Sequence, residues 1–297
     1  MERTMYWLYC LLLLFALLFI AGIYIYSDIQ KKQIKKQQAL PVTVWIHGTL
    51  FFPDYFLPKF FYCKPGLNLA TELDESYHHN QIAQILAKAD PKRFPLKTFY
   101  LFGWSGKLSF QARKKAAEDL YADLKKLITN YKKKYGFEPF IRIIAHSHGG
   151  NVALTLSKIN NKNDLTICEL ILLACPVQER TKQYLEDPIF QQIISLYSAF
   201  DTIQVLDPQG LYSKDIHDMQ DAYDKQKNIP WFSERIFAPT KRLIQAQIKI
   251  DGRNIFHIEF MLQKFLSLLP TILDQLEKRQ NKKTIQEKPY SLSLKSR

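Results

Sequence analysis

At 297 residues with 47% hydrophobic side chains, the chain has enough apolar mass to bury a sizeable core, which excludes general disorder. Four cysteines with no CxxC pair exclude a disulfide framework and a zinc finger. A formal net charge of +13 suits an anionic partner, yet no arginine stripe interleaved with aromatics and no helix-turn-helix signal accompanies it, so nucleic-acid binding is not expected.

The first element in chain order is the uncharged run WLYCLLLLFALLFIAGIYIY at 7–26, long enough as a helix to cross a bilayer. Tyr6, Trp7, Tyr24 and Tyr26 place amphipathic rings near its ends, where a membrane interface favours them. A cleaved signal peptide would need a shorter apolar run and a small-x-small site, which does not follow Ala21. The expected order is therefore a flank at 1–6, a transmembrane helix at 7–26 and a basic linker at 27–40. A main domain at 41–279 and a basic, disordered tail at 280–297 follow. Lys31, Lys32, Lys35 and Lys36 outnumber Arg3 across the span, which favours a single-pass protein with its large domain on the cytoplasmic side.

In the main domain, 42–48 (VTVWIHG) and 98–104 (TFYLFGW) read as buried strands, short, apolar and ended by turn residues. Phe110, Ala117, Leu120, Leu124, Leu127 and Tyr131 then recur at helical spacing, with Ser109 able to cap the start and Gly136 the end. A strand at 141–145 runs into His146-Ser-His-Gly-Gly150 and a helix to Ile159, the trace of a βα unit. Apolar runs at 167–175, 193–200 and 243–250 continue the alternation. The expected class is α/β, a mostly parallel sheet flanked by helices.

Ser147 sits in Ala145-His-Ser-His-Gly149, a variant of the G-x-S-x-G elbow with alanine for the first glycine. A hydroxyl is a weak nucleophile, so it needs a base and an acid to orient that base. Of seven histidines, His257 is best placed, since it follows the last strand-like stretch and opens the final helical segment. For the acid, Asp201 directly follows the strand ending at Phe200, with Asp207, Asp215 and Asp218 as alternatives. The amides of Thr49, after the His47-Gly48 strand end, and of His148 are candidate oxyanion donors.

Strand plus HGT, then AHSHGGN, then SAFD, then a late HIEF resembles the lipase and esterase branch of the α/β-hydrolase superfamily, over about 41–273. The resemblance implies a serine hydrolase cleaving carboxylic esters through an acyl-enzyme, with no cofactor and no metal. Its substrate would be an ester, lipid among the options. A non-catalytic scaffold and an acyltransferase using the same triad stay open, and so does the oligomeric state.

Other motifs carry blander readings. Ser105 in Gly103-Trp-Ser-Gly106 lacks the elbow spacing, and His146-Ser-His148 lacks the Asp-His pair of a metallohydrolase. His78 and His79 are expected in a polar surface loop. The aromatic run at 51–62 reads as packing or an acyl-binding wall, and the connection between Asp201 and His257 as a lid or a cap of helices.

Overall fold

Alternation along single strands decides the layering of the protein. In β1 (Pro41–Ile46), Val42, Val44 and Ile46 enter one apolar core while Trp45 enters a second, as the period-2 geometry of a strand buried on both faces requires. β4 (Phe140–His146) repeats this, with Ile141, Ile143 and Ala145 facing the first core and Ile144 the second.

The computed structural model describes residues 17–24, 40–49, 62–160, 164–206, 233–280 and 285–296. Two units are distinguished, Met1–Leu40 and Pro41–Arg297. In the first, residues 17–24 are helical and exposed. The rest of the expected 7–26 span lies outside the described residues, as do the aromatic run at 51–61 and the linker at 27–39. Among the described residues no helix is long and apolar enough to cross a membrane.

Among the described residues the second unit is an α/β structure built on one nine-stranded sheet. β2 (Gly66–Leu69), β3 (Phe99–Gly103), β1, β4, β5 (Glu169–Leu173), β6 (Ile193–Tyr197) and β7 (Leu243–Ile250) follow in spatial order, and every pair from β3 to β7 is parallel. β2 is antiparallel to β3, and the two-residue β8 (Arg253–Asn254) folds back on β7 through the positive-φ pair Asp251 and Gly252.

α1 (His78–Ala89) and α5 (Gln263–Gln280) cover one face. α2 (Phe110–Tyr135) and α3 (His148–Ile159) cover the other. The Ser109 hydroxyl caps α2 by accepting from the Ala112 amide at 3.4 Å, and Gly136, at φ 77°, ends it.

Two expectations are corrected. His78 and His79 open helix α1 instead of lying in a polar loop, and His79 and Asn80 are buried. Ile82, Ala83 and Leu86 supply the apolar stripe that docks α1, although its N-cap, Tyr77, makes no side-chain cap. The tail is not disordered throughout, because β9 (Tyr290–Leu294) adds to β7 in parallel, Ala246 opposite Tyr290 and Ile250 opposite Leu294. In YSLSL the leucines are buried and the serines exposed, so five residues of alternation suffice to complete an edge beside β7.

Candidate active site

Parallel register brings the chain ends of β1, β4, β5 and β6 to one edge of the sheet. Ile46 pairs with Ala145 and His146 with Leu173, so His47 and Gly48 emerge beside the turn at Ser147. That turn is sharp. Ser147 has φ 52° and ψ −132°, a sparsely populated backbone state for a residue with a side chain, costing about 1–3 kcal/mol, which the surrounding packing must sustain. Its amide is held by the Leu173 carbonyl at 2.8 Å, and its carbonyl accepts from Gly150 at 2.9 Å as α3 begins.

Glycine is required around the turn because backbone passes too close for a side chain. A Cβ at Gly149 would lie 2.5 Å from the His47 carbonyl oxygen and 2.8 Å from that of Ile46. Both obstacles are main chain of the adjacent strand end. Gly149→Ala is therefore expected to cost about 1–3 kcal/mol, read as a lower denaturation midpoint with an unchanged slope. A Cβ at Gly48 would lie 2.7 Å from the Cβ of Ser147, so the chain just before Thr49 runs directly against the serine.

The strand end carrying Gly48 is pinned from the side. Trp104 donates its amide to His47 Nε2 at 3.2 Å and its indole N–H to the His47 carbonyl at 2.9 Å. With Nε2 accepting, the ring hydrogen belongs on Nδ1, which then donates to the Gly48 carbonyl at 2.8 Å. Thr49 follows, its hydroxyl oxygen buried and without a hydrogen-bond partner among the described residues.

The structure brings Asp201 and His257 together. His257 Nδ1 lies 2.8 Å from Asp201 Oδ2 in a buried contact between residues 56 apart in sequence. The other carboxylate oxygen, Oδ1, caps the short helix α4 (Thr202–Val205) by accepting from the Gln204 amide at 3.0 Å. Arg235 donates to the Asp201 carbonyl at 2.8 Å. Both oxygens and the backbone of the aspartate are thus fixed, so its orientation does not depend on the imidazole alone.

His146 ties this pair to the elbow. Its Nε2 donates to the His257 carbonyl at 3.1 Å, and the two rings pack at 4.7 Å between centres. Ser147 is the next residue. Burial and the neighbouring His257 hold the His146 imidazole well below its usual range, and burial, then Arg113, then His257 do the same for His148. Both rings are consequently neutral near pH 7 and serve as packing and hydrogen-bonding groups.

His47, His78 and His79 lie against the same cluster, with His47 and His79 ring centres 5.3 Å apart. Every histidine except His217, which lies outside the described residues, therefore gathers near the elbow. The contribution of α1 was not readable from sequence, since nothing local marks His78 and His79 as facing a strand end on the far side of Trp45. Trp45 Nε1 donates to His79 Nδ1 at 3.3 Å. Asp207, Asp215 and Asp218 lie outside the described residues, and Ser105 stands in the loop after β3, exposed.

Cys175, at the end of β5, is fully buried, and burial pushes its thiol far above the usual range. Burial also pushes the Cys63 thiol up to about 12. Neither is a nucleophile at neutral pH. Among the described residues, no three His, Cys, Asp or Glu side chains are placed to hold a metal ion.

Comparison with models of known families finds no match, and comparison with curated proteins finds none. Similar solved structures include a hyperthermophilic esterase from the archaeon Pyrobaculum calidifontis, with 14% identity, TM-score 0.34, and coverage of 86% of this chain and 67% of that one. Carboxyl esterase 2 from the mycorrhizal fungus Tuber melanosporum shares 10% identity at TM-score 0.36, covering 86% and 67%. An arylesterase shares 10% identity at TM-score 0.35, covering 87% and 68%. Similarity this remote carries no weight for the chemistry, which stands on the side chains described above.

Proposed function

We propose that the protein is a serine ester hydrolase of the α/β-hydrolase type, with Ser147 as nucleophile, His257 as base and Asp201 as the acid that orients it. The observation that carries this reading is the 2.8 Å contact between His257 Nδ1 and Asp201 Oδ2, fastened to the elbow through His146. With Nδ1–H given to the carboxylate, Nε2 presents its lone pair and can take the serine proton.

In this mechanism the Ser147 oxygen bonds to the ester carbonyl carbon as its proton passes to His257 Nε2. The carbonyl oxygen becomes an anion held by the Thr49 and His148 amides, the latter at the positive end of α3. Collapse breaks the bond to the alcohol oxygen, which leaves with the proton from His257. Water then repeats the sequence on the acyl-enzyme and returns the free acid and Ser147.

An apolar or lipid substrate is favoured by what surrounds the acid and the base. Phe200, Ile203 and Leu206 flank Asp201 and are exposed, as are Phe256, Ile258 and Leu262 around His257. Phe200 is 65% exposed and Phe256 61%, unusual for phenylalanine beside an otherwise buried pair. A membrane anchor at 7–26, with the large domain on the cytoplasmic side, belongs to the same proposal, since it would hold such a rim near lipid.

A fluorophosphonate probe tests the nucleophile. The wild-type chain is expected to label covalently and Ser147→Ala not at all, read by in-gel fluorescence. Equal labelling of both proteins would remove Ser147 from the mechanism.

A further inference from the structure

Between β2, the end of β3 and the first half of α2 lies a cleft of about 650 Å³, within the size range of small-molecule sites. It is not the catalytic mouth, since neither Ser147 nor His257 nor Asp201 lines it. Ala112 and Ala116, one helical turn apart, give α2 little bulk on the side that meets β3, and the rings of Tyr62, Phe102 and Trp104 supply aromatic walls.

The charged lining is acidic on balance, in a chain whose formal net charge is +13. Lys115 is taken by Asp119, Nζ to Oδ1 at 2.6 Å. Asp123 accepts from the Leu67 amide through Oδ2 at 3.1 Å and has no cation beside it among the described residues. One amide leaves much of a carboxylate's accepting capacity unused. Aromatic walls beside such a carboxylate suit an organic cation, because ring faces attract ammonium groups and the carboxylate neutralises them. An anion would instead meet the charges of Asp119 and Asp123.

Trp104, 8% exposed, is a wall of the cleft on one side and a support of the catalytic edge on the other. Besides its two hydrogen bonds to His47, its ring stacks on the imidazole, with centres 5.7 Å apart and planes at 19°. His47 leads into Gly48, which runs against Ser147, and then into Thr49. An occupant packed on Trp104 therefore limits the movement of the strand end that carries the oxyanion donor, and a pre-set donor is what lowers the barrier to acyl transfer.

We propose that this cleft is an effector site, separate from Ser147, for a small molecule with an apolar body and an ammonium head, whose binding raises ester turnover. The binding stands on the lining of the cleft alone, whereas the effect on turnover rests on the hydrolase reading.

The probe is octyltrimethylammonium, with octanesulfonate as a control of equal chain length and opposite charge, each titrated calorimetrically into the full chain below its micellar concentration. The cation is expected to bind and the sulfonate to bind more weakly. Asp123→Asn, which keeps an oxygen for the Leu67 amide, should weaken the cation roughly tenfold, the value of one lost contact to a charged group, and leave the sulfonate no weaker. Ala112→Phe, which puts a ring into the cleft, should remove both. Equal binding of the two ions, or a cation affinity indifferent to Asp123→Asn, overturns the site. On p-nitrophenyl butyrate the cation should raise wild-type kcat, with a half-saturation that follows the calorimetric affinity and shifts with it in Asp123→Asn. An unchanged wild-type kcat at saturating cation overturns the effector role. A chain that hydrolyses no ester yet binds the cation through Asp123 sinks the hydrolase reading and keeps the binding site.

Discussion

Asp201→Asn is expected to lower kcat by about 10⁴-fold while leaving the fold intact. The two carboxylate oxygens have separate duties, Oδ1 accepting from the Gln204 amide and Oδ2 from His257 Nδ1. Asparagine caps a helix as well as aspartate, so its single carbonyl oxygen is retained by Gln204 and its NH₂ group turns to the imidazole. A donor facing Nδ1 forces the ring hydrogen onto Nε2, the atom that must accept the serine proton. Base catalysis is lost through the tautomer, with no change in shape. Saturation kinetics on a p-nitrophenyl ester, beside a thermal melt close to that of wild type, checks both halves. Asp201→Ala separates them from the other side, since it should lose activity and also about 1 kcal/mol of capping. Wild-type kcat in Asp201→Asn would move the acid to another residue.

What could be read ahead of the structure was what is written locally. The elbow is contiguous: strand, Ala145 to Gly150, helix, and the need for glycine at 149 is a backbone clash that any such turn creates. Chain order placed an acid after β6 and a histidine after β7, and parallel strands necessarily deliver their ends to one edge, where Asp201 and His257 meet. The α/β layering followed from apolar runs alternating with the helical stripe of α2. The main misreadings concern segments whose stability is borrowed. α1 has no side-chain cap to announce it, and its stripe is three residues wide until it meets α5 and the strand residues of the second core. β9 is five residues within a lysine-rich tail and becomes a strand only beside β7. The stacking of Arg113 and Arg180 on the Phe110 ring is invisible from sequence, because the start of α2 and the distant loop after β5 must first be brought together.

The starts of the same strands carry a different burden from their ends. Arg142 in β4 and Glu169 in β5 are direct register partners, joined by a short hydrogen bond from Arg142 Nε to a Glu169 carboxylate oxygen, with side chains only 7% and 4% exposed. Arg142 also donates Nη1 to the Arg93 carbonyl at 2.6 Å and lies over the Phe94 ring at 5.0 Å. Glu169→Ala removes one charge and strands the other in a dry site, which is expected to cost about 3–5 kcal/mol, read as a lower denaturant midpoint. Replacing both partners, as Arg142→Met with Glu169→Leu, should return most of that loss, since the buried charge goes with its partner. At about 3.3 Å per residue along β4, Arg142 is roughly 17 Å below Ser147. Protein that remains folded after Glu169→Ala should therefore turn over esters at the wild-type rate. A fall in kcat beyond the fraction unfolded would mean that strain at the strand starts reaches the elbow along β4, and that the positive φ of Ser147 is sustained by this ion pair as well as by the Leu173 carbonyl and the close-packed glycines.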